Sequence, residues 1–364
     1  MGVRSIWPDP PLPKLGEVPT FCRHNRFVER CPICSKTLAG STAAENAATK
    51  PRRAATKGAP VRPHHPRLRA GGKEVRVKRE NRAGDDGYRS GLLPGLRASG
   101  DAEALAQEIA FAHGRLLALG GAPPDLYGEI RALAEQDIER ATWTCFLIAY
   151  LSPLEGEDPF LGIRLVLDAA PDSAACDEEA LADLDRVPLG PRTSHDPTRG
   201  TSTLLAYRHW AERAGGLTGE DGAAARAFEG DPEWSPQRRF ERGFERLALP
   251  GFGRMGRYDL LVTLGRLGLY ELRADSLHLT SASEAHSGDL ATLAAKRVFA
   301  IGDPLLLERR ARALAEAISV PIETLDLALW NWSQPASGSR ATLGVRRETC
   351  DQDALERSRE AFEL

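Results

Sequence analysis

From Asp101 onward apolar residues return every three or four positions, which is the period of a helix face. The run DAEALAQEIAFAHGRLLALGG (101–121) keeps that period and stops at Gly120-Gly121. LYGEIRALAEQ (126–136) predicts a second helix. DIERATWTCFLIAYLSP (137–153) is the most apolar segment, one helix long and closed by Pro153, so it must be buried nearly all round. FLGIRLVLDAA (160–170) follows, while 171–200 reads as a short helix between loops. TSTLLAYRHWAERAGG (201–216) predicts a helix with a Thr cap, and QRRFERGFERLA (237–248) leads from it into the glycine turn. Farther on, Leu260, Leu261, Leu264 and Leu267 make one apolar face, with Gly268 where a helix end belongs. LATLAAKRVFA (290–300), PLLLERRARALAEAI (304–318) and PIETLDLALWNW (321–332) complete the set, with Pro304 suited to a first turn. No alternating strand pattern and no repeat period appears. The chain is therefore expected to be mostly α, with roughly eight to ten helices between 91 and 340.

Composition changes this picture mainly at the N-terminus. Apolar content of 42% over 364 residues is enough for a large core. No run is long enough to span a membrane and no signal segment opens the chain, so a cytoplasmic, bacterial protein without membrane contact is expected. The net charge of −3 hides an asymmetry. Twelve Lys or Arg and two acids lie between Lys50 and Arg82, so the remainder carries 36 basic and 49 acidic residues, or −13. The expected organisation is a Cys/His segment at 1–45, a disordered basic linker at 46–90, a helical domain at 91–340 and a peripheral charged tail at 341–364. The linker serves either as a loose phosphate anchor or as a solubilising tether.

Three of the six cysteines cluster near the start. Cys22, His24, Cys31 and Cys34 form a Cys-x-His-x6-Cys-x2-Cys pattern that matches a closed four-ligand zinc site. So short a segment would draw its folding energy from the metal. The bland alternatives are chance cysteines in a tail, or a redox pair. An iron–sulfur cluster fits less well because it seldom uses His. No organic cofactor is expected.

The chemistry is expected around LPGFGRMGRYDLLVTLGRLGLYELRADSLHL (249–279). A Gly-Pro turn feeding a helix N-terminus exposes backbone N–H groups that can hold a phosphate. Gly251, Gly253, Arg254 and Arg257 are the candidate grip. Asp275 follows Leu249 by 26 positions (275 − 249). It reads either as a catalytic carboxylate or as a helix N-cap. Asp326 is an acid on an otherwise apolar helix, a candidate second carboxylate or a partner for an Arg of the 304–318 helix. His195 and Asp196, between Arg192 and Arg199, read chiefly as solvated loop, the alternative being a loop that reads a sugar-decorated base.

Leu249-Pro250-Gly251-Phe252-Gly253 followed by Ala274-Asp275-Ser276-Leu277-His278 resembles the helix-hairpin-helix DNA glycosylase superfamily. The apolar helix ending at Leu151-Ser152 is similar to the one that leads into that family's DNA-probing loop. The resemblance implies a two-lobed helical fold, Asp275 as the catalytic carboxylate and Leu154 near the wedge position. Trp143 and Tyr150, with Trp330 and Trp332, are candidates for stacking on an extruded base, although aromatics at helical spacing usually fill cores. Lyase-type members carry a Lys just after the turn. Here Arg254-Met255-Gly256-Arg257 stands there, so strand cleavage is not implied. The C-terminal four-Cys cluster loop of some members is absent as well.

TWTCFLIAYLSPLEGEDPF, LPGFGRMGRYDLL and LDLALWNW also resemble the α-glutamyl/putrescinyl thymine pyrophosphorylase branch, which is linked to hypermodified pyrimidines in phage DNA. The leading expectation is a monomeric, monofunctional glycosylase. It would excise a modified pyrimidine, such as glucosylated hydroxymethylcytosine, from double-stranded DNA as antiphage defence. The alternatives are a transferase acting on pyrophosphorylated hydroxymethyluracil and a non-enzymatic DNA-binding module.

Overall fold

A computed structural model describes residues 84–214, 223–280, 289–335 and 338–364. The Cys22, His24, Cys31 and Cys34 set and nearly all of the basic linker lie outside the described residues.

The helical periods translate directly into elements. Helix α1 is Ser99–Gly120, α2 is Asp125–Ala134, α3 is Ile138–Leu151 and α4 is Leu161–Ala169. Helix α5 is Ser202–Ala214, α6 is Ala223–Glu229, α7 is Pro236–Arg246 and α8 is Arg254–Arg266. Helix α9 is Leu290–Phe299, α10 is Pro304–Ala317, α11 is Thr324–Ser333 and α12 is Gln352–Phe362. No strand occurs among the described residues. Nor is any helix there long and apolar enough to cross a membrane.

Helix α3 shows why the apolar run had to be interior. Asp137 caps it by accepting the Arg140 N–H, and every residue from Ala141 to Leu151 is buried. Its hydroxyls satisfy themselves locally: Thr142 donates to the Ile138 carbonyl and Thr144 to the Arg140 carbonyl. Trp143, Phe146 and Tyr150 stack along one side of it, with Tyr207 of α5 lying 3.9 Å from Phe146. Trp143 is thus a core residue, its indole N–H donating to the Ala170 carbonyl.

Helices α2, α4, α6 and α8 pack on α3, with α5 and α7 packed on α6, while α12 packs on α1, and α1, α9 and α10 pack on α11. The contact of α8 with α1 joins the two sets. Helix α8 is therefore central to the packing and also begins at the glycine turn. It ends as the sequence implies, with Gly268 at φ 75° and the Leu269 N–H closing on the Leu264 carbonyl.

Four expectations change. Among the described residues eleven helices, not eight to ten, lie between Ser99 and Ser333, with α6 and α7 the unforeseen ones. The 171–200 stretch holds two single 3-10 turns, Leu184–Arg186 and Pro197–Arg199, rather than an α-helix. Asp275 does not begin a helix, because 271–280 is irregular chain. The C-terminal residues are not merely peripheral: α12 packs on α1 and buries Ala354, Ser358 and Phe362.

Candidate active site around the hairpin turn

Three pieces of chain converge at the start of α8. The first is the C-terminal end of α3, where the last carbonyls have no helical partner. The second is the loop 187–201, which supplies those partners. The Gly190 N–H donates to the Leu151 and Ser152 carbonyls, and the Ser194 N–H donates to the Tyr150 carbonyl at 2.8 Å. The third is the turn itself. Thr203, at the start of α5, donates its hydroxyl to the Pro250 carbonyl at 2.8 Å. Gly251 has φ 79°, and a Cβ there would sit 2.4 Å from the Thr203 oxygen. A Cβ on Gly256 would meet the Phe252 ring at 2.5 Å and the Ser194 hydroxyl at 2.7 Å.

Beneath this junction runs a chain of alternating charges. Arg192 is 1% exposed and clamps Asp259 with Nε at 2.7 Å and Nη2 at 3.0 Å. Its Nη2 also donates to Asp326. Arg254 donates to the other Asp326 oxygen at 2.7 Å, to the Leu277 carbonyl at 2.9 Å and to both oxygens of Asp289 at 2.9 Å. The order is Asp259, Arg192, Asp326, Arg254, Asp289. Burial opposes the charges of Arg192, Arg254 and Asp289. For Arg254 the carboxylates outweigh burial and raise its pKa further. For Asp289 the burial cost is outweighed by Arg254 and by bonds to Arg254 and Thr292, so its pKa is lowered.

This network reassigns two residues. Arg254 turns inward and is 7% exposed, so it braces the hairpin helix instead of facing a phosphate. Asp326 pairs with Arg192 and Arg254, not with the 304–318 helix, and both of its oxygens are taken. Arg192, Asp259 and Asp289 were not singled out from the sequence as partners. The available signal was Asp259 and Asp326, acids inside apolar helical runs.

His195 is buried rather than solvated, with Nδ1 2.8 Å from the Tyr150 hydroxyl. Tyr150 is fully buried at the C-terminal end of α3. Leu154 is half-buried in the loop after α3, its N–H donating to the Pro159 carbonyl at 2.8 Å. Ser152 makes that exit possible at φ 62°. Trp330 and Trp332 are core residues, like Trp143.

Asp275 is exposed, and its carboxylate has no hydrogen bond or ion pair among the described residues. Its backbone is fixed nonetheless. Arg312 donates to the Asp275 carbonyl at 2.7 Å, and Glu308 accepts the N–H groups of Leu277 and Leu279. His278 stacks on Phe244 at 3.8 Å. On the outer face of the turn Gly253 is exposed, and Arg257 lies half-buried with its guanidinium 4.3 Å over Phe244. Arg199 is exposed close to Gly251.

No group of three or more metal-type ligands occurs among the described residues. Burial raises the thiols of Cys145 and of Cys176, the latter to about 12, so neither offers a thiolate.

A family model described as alpha-glutamyl/putrescinyl thymine pyrophosphorylase clade 3 matches residues 193–338. The match begins in the loop over α3 and takes in the hairpin turn, Asp275, Asp289 and Asp326. No curated protein and no solved structure matches the chain.

Proposed function

We propose that the chain is a DNA-modifying enzyme in which a primary amine displaces pyrophosphate from the 5-methylene of an activated thymine. The observation that carries this reading is the family match, which takes in His195, the turn and the segments fixed beneath it. The family's name describes a pyrophosphorylase acting on a modified thymine. The geometry is compatible with the chemistry. Pyrophosphate is already a good leaving group, so the protein must hold the duplex, receive an extruded base and accept a proton. Gly251, Gly253, Arg257 and Arg199 supply the outer grip in this reading, and the loop after α3 that carries Leu154 supplies the wedge. The two sets of helices meeting at α8 suit a two-lobed arrangement with the site between them.

A second reading, excision of a modified pyrimidine as antiphage defence, is favoured by one observation. The Asp275 carboxylate is free of partners among the described residues and follows the hairpin at a spacing that a glycosylase would use. Such a carboxylate can stabilise an oxocarbenium-like state at C1′ and orient a water. Helix-hairpin-helix membership would accompany this reading.

One incubation separates the two. Duplexes with unmodified, hydroxymethylated, glucosylated and pyrophosphorylated pyrimidines are offered with and without a short diamine. Released pyrophosphate and a mass gain on the base support transfer. Released base with alkali-labile abasic sites supports excision and overturns transfer. Separately, Cys22, His24, Cys31 and Cys34 are proposed to hold one structural zinc, since one imidazole and three thiolates at this spacing suit that ion. Near one equivalent of zinc by elemental analysis, lost in Cys31→Ser, checks it.

A further inference from the structure

The loop over the end of α3 holds a histidine with one ring nitrogen that the fold leaves unused. His195 is 7% exposed, its Nδ1 faces the Tyr150 hydroxyl at 2.8 Å, and its Nε2 is buried without a hydrogen-bond partner. Leaving a buried polar atom unpaired costs about 1–3 kcal/mol. Such atoms are uncommon, and each calls for a reason. The chain reaches the surface just after it, where Pro197, Thr198 and Arg199 are exposed.

Its electrostatics suit a proton acceptor. Burial lowers the His195 pKa, and Asp185 and Asp196 offset only part of that. The imidazole is therefore neutral at pH 7. Burial raises the Tyr150 pKa as well, with Arg199 and Asp196 acting on it in opposite senses, so the phenol keeps its proton. When Nδ1–H donates to the Tyr150 oxygen, Nε2 carries the lone pair.

We infer that His195 is the proton acceptor for the attacking nucleophile and that Tyr150 is its positioning residue. This assignment rests on the amine-transfer reading. In that step the amine nitrogen forms a C–N bond to the 5-methylene carbon. The C–O bond breaks and its electron pair leaves with pyrophosphate. The proton released from the resulting ammonium passes to Nε2. The buried carboxylate nearest in type, Asp326, cannot serve in its place, because two arginines occupy both of its oxygens.

The test uses the full chain labelled at histidine. A duplex carrying hydroxymethyluracil has no pyrophosphate to lose and serves as the unreactive probe. Adding it is expected to shift the His195 Nε2 resonance. With pyrophosphorylated duplex and a short diamine, His195→Gln is expected to lower the single-turnover rate about 10²–10⁴-fold. It should also remove the acid limb that lies below pH 6.5, with duplex affinity unchanged. Tyr150→Phe is expected to move that limb while keeping the duplex bound. A duplex that binds and leaves His195 unmoved overturns the assignment, as does a His195→Gln variant that keeps both rate and limb. If the wild-type chain yields abasic sites and no pyrophosphate, the amine reading fails on its own. The assignment then stands or falls on whether His195→Gln loses base release with the same acid limb. A chain that binds no duplex overturns both.

Discussion

Asp326 shows how one residue can look catalytic in sequence and be structural in the fold. It is an acid on an apolar helix, and the reason is two guanidinium groups that arrive from the loop at 192 and from the start of α8. Removing one partner of a buried ion pair costs about 3–5 kcal/mol, because the remaining charge loses its compensation. Arg192 keeps Asp259 and Arg254 keeps Asp289, so Asp326→Ala is expected near the lower end, about 3 kcal/mol. Asp326→Asn, which keeps the volume and one acceptor, is expected to cost less. Urea midpoints at constant slope measure both. His195 gives a second prediction of known sign. Its folded pKa lies below the unfolded 6.5, so between the two values the unfolded chain binds more protons. Stability therefore rises with pH through that window, and the deficit is fully present below the folded pKa. His195→Gln is expected to flatten this part of the stability profile. Asp289 does not interfere: its lowered pKa places its loss of stability below pH 3.8, as pH falls.

Among elements, α8 is the one whose neighbours decide most. Gly256 lies inside this helix, where Ala would ordinarily be favoured by about 0.5–1 kcal/mol. The added carbon would instead meet the Phe252 ring and the Ser194 hydroxyl. Overpacking of that kind costs about 1–3 kcal/mol, so Gly256→Ala is expected to be net destabilising by about 1–2 kcal/mol. Gly253→Ala has no atom within 4 Å of the new carbon and an ordinary φ of −75°. It is expected to leave the thermal midpoint nearly unchanged, and a large drop there would mean that the turn needs the glycine itself. These two glycines also mark what was legible. Helical periods, the Pro304 start, the Gly268 stop and the turn before α8 are local features, and the sequence displays them. The path of 271–280 is not local. Its Leu277 and Leu279 N–H groups go to Glu308, a residue about thirty positions away, so the local pattern at Asp275 points to a helix start that the fold does not use. The loop 187–201 reads as solvated because its polar residues are many. Its Arg192 and His195 are buried because α3, α8 and α11 offer them partners that no spacing along the chain reveals. Helix α12 reads as peripheral because its charged residues outnumber the Ala354, Ser358 and Phe362 that it buries.

Across the whole molecule, charge and site pull in opposite directions. The segment from Lys50 to Arg82 carries twelve basic and two acidic residues, and the rest of the chain carries −13. The charged chain beneath the hairpin does not repair that imbalance, since its two arginines answer three aspartates. If the chain acts on DNA, its acidic body repels the duplex at long range, while Arg199, Arg257 and the turn amides act only at close range. Most of the released counterions must then come from the basic segment, and each phosphate it no longer neutralises should lower the salt slope by about 0.9. Replacing six of its Lys and Arg by Gln is therefore expected to reduce the slope by about 5 if all six touch phosphate. At low salt, turnover of bound duplex should stay near the wild-type value, since no residue of the hairpin or of the loop 187–201 is altered. Fluorescence anisotropy on a labelled duplex across a salt series reads the slope, and single-turnover assays read the chemistry. An unchanged slope would assign the grip to the hairpin face alone and leave the basic segment as a tether.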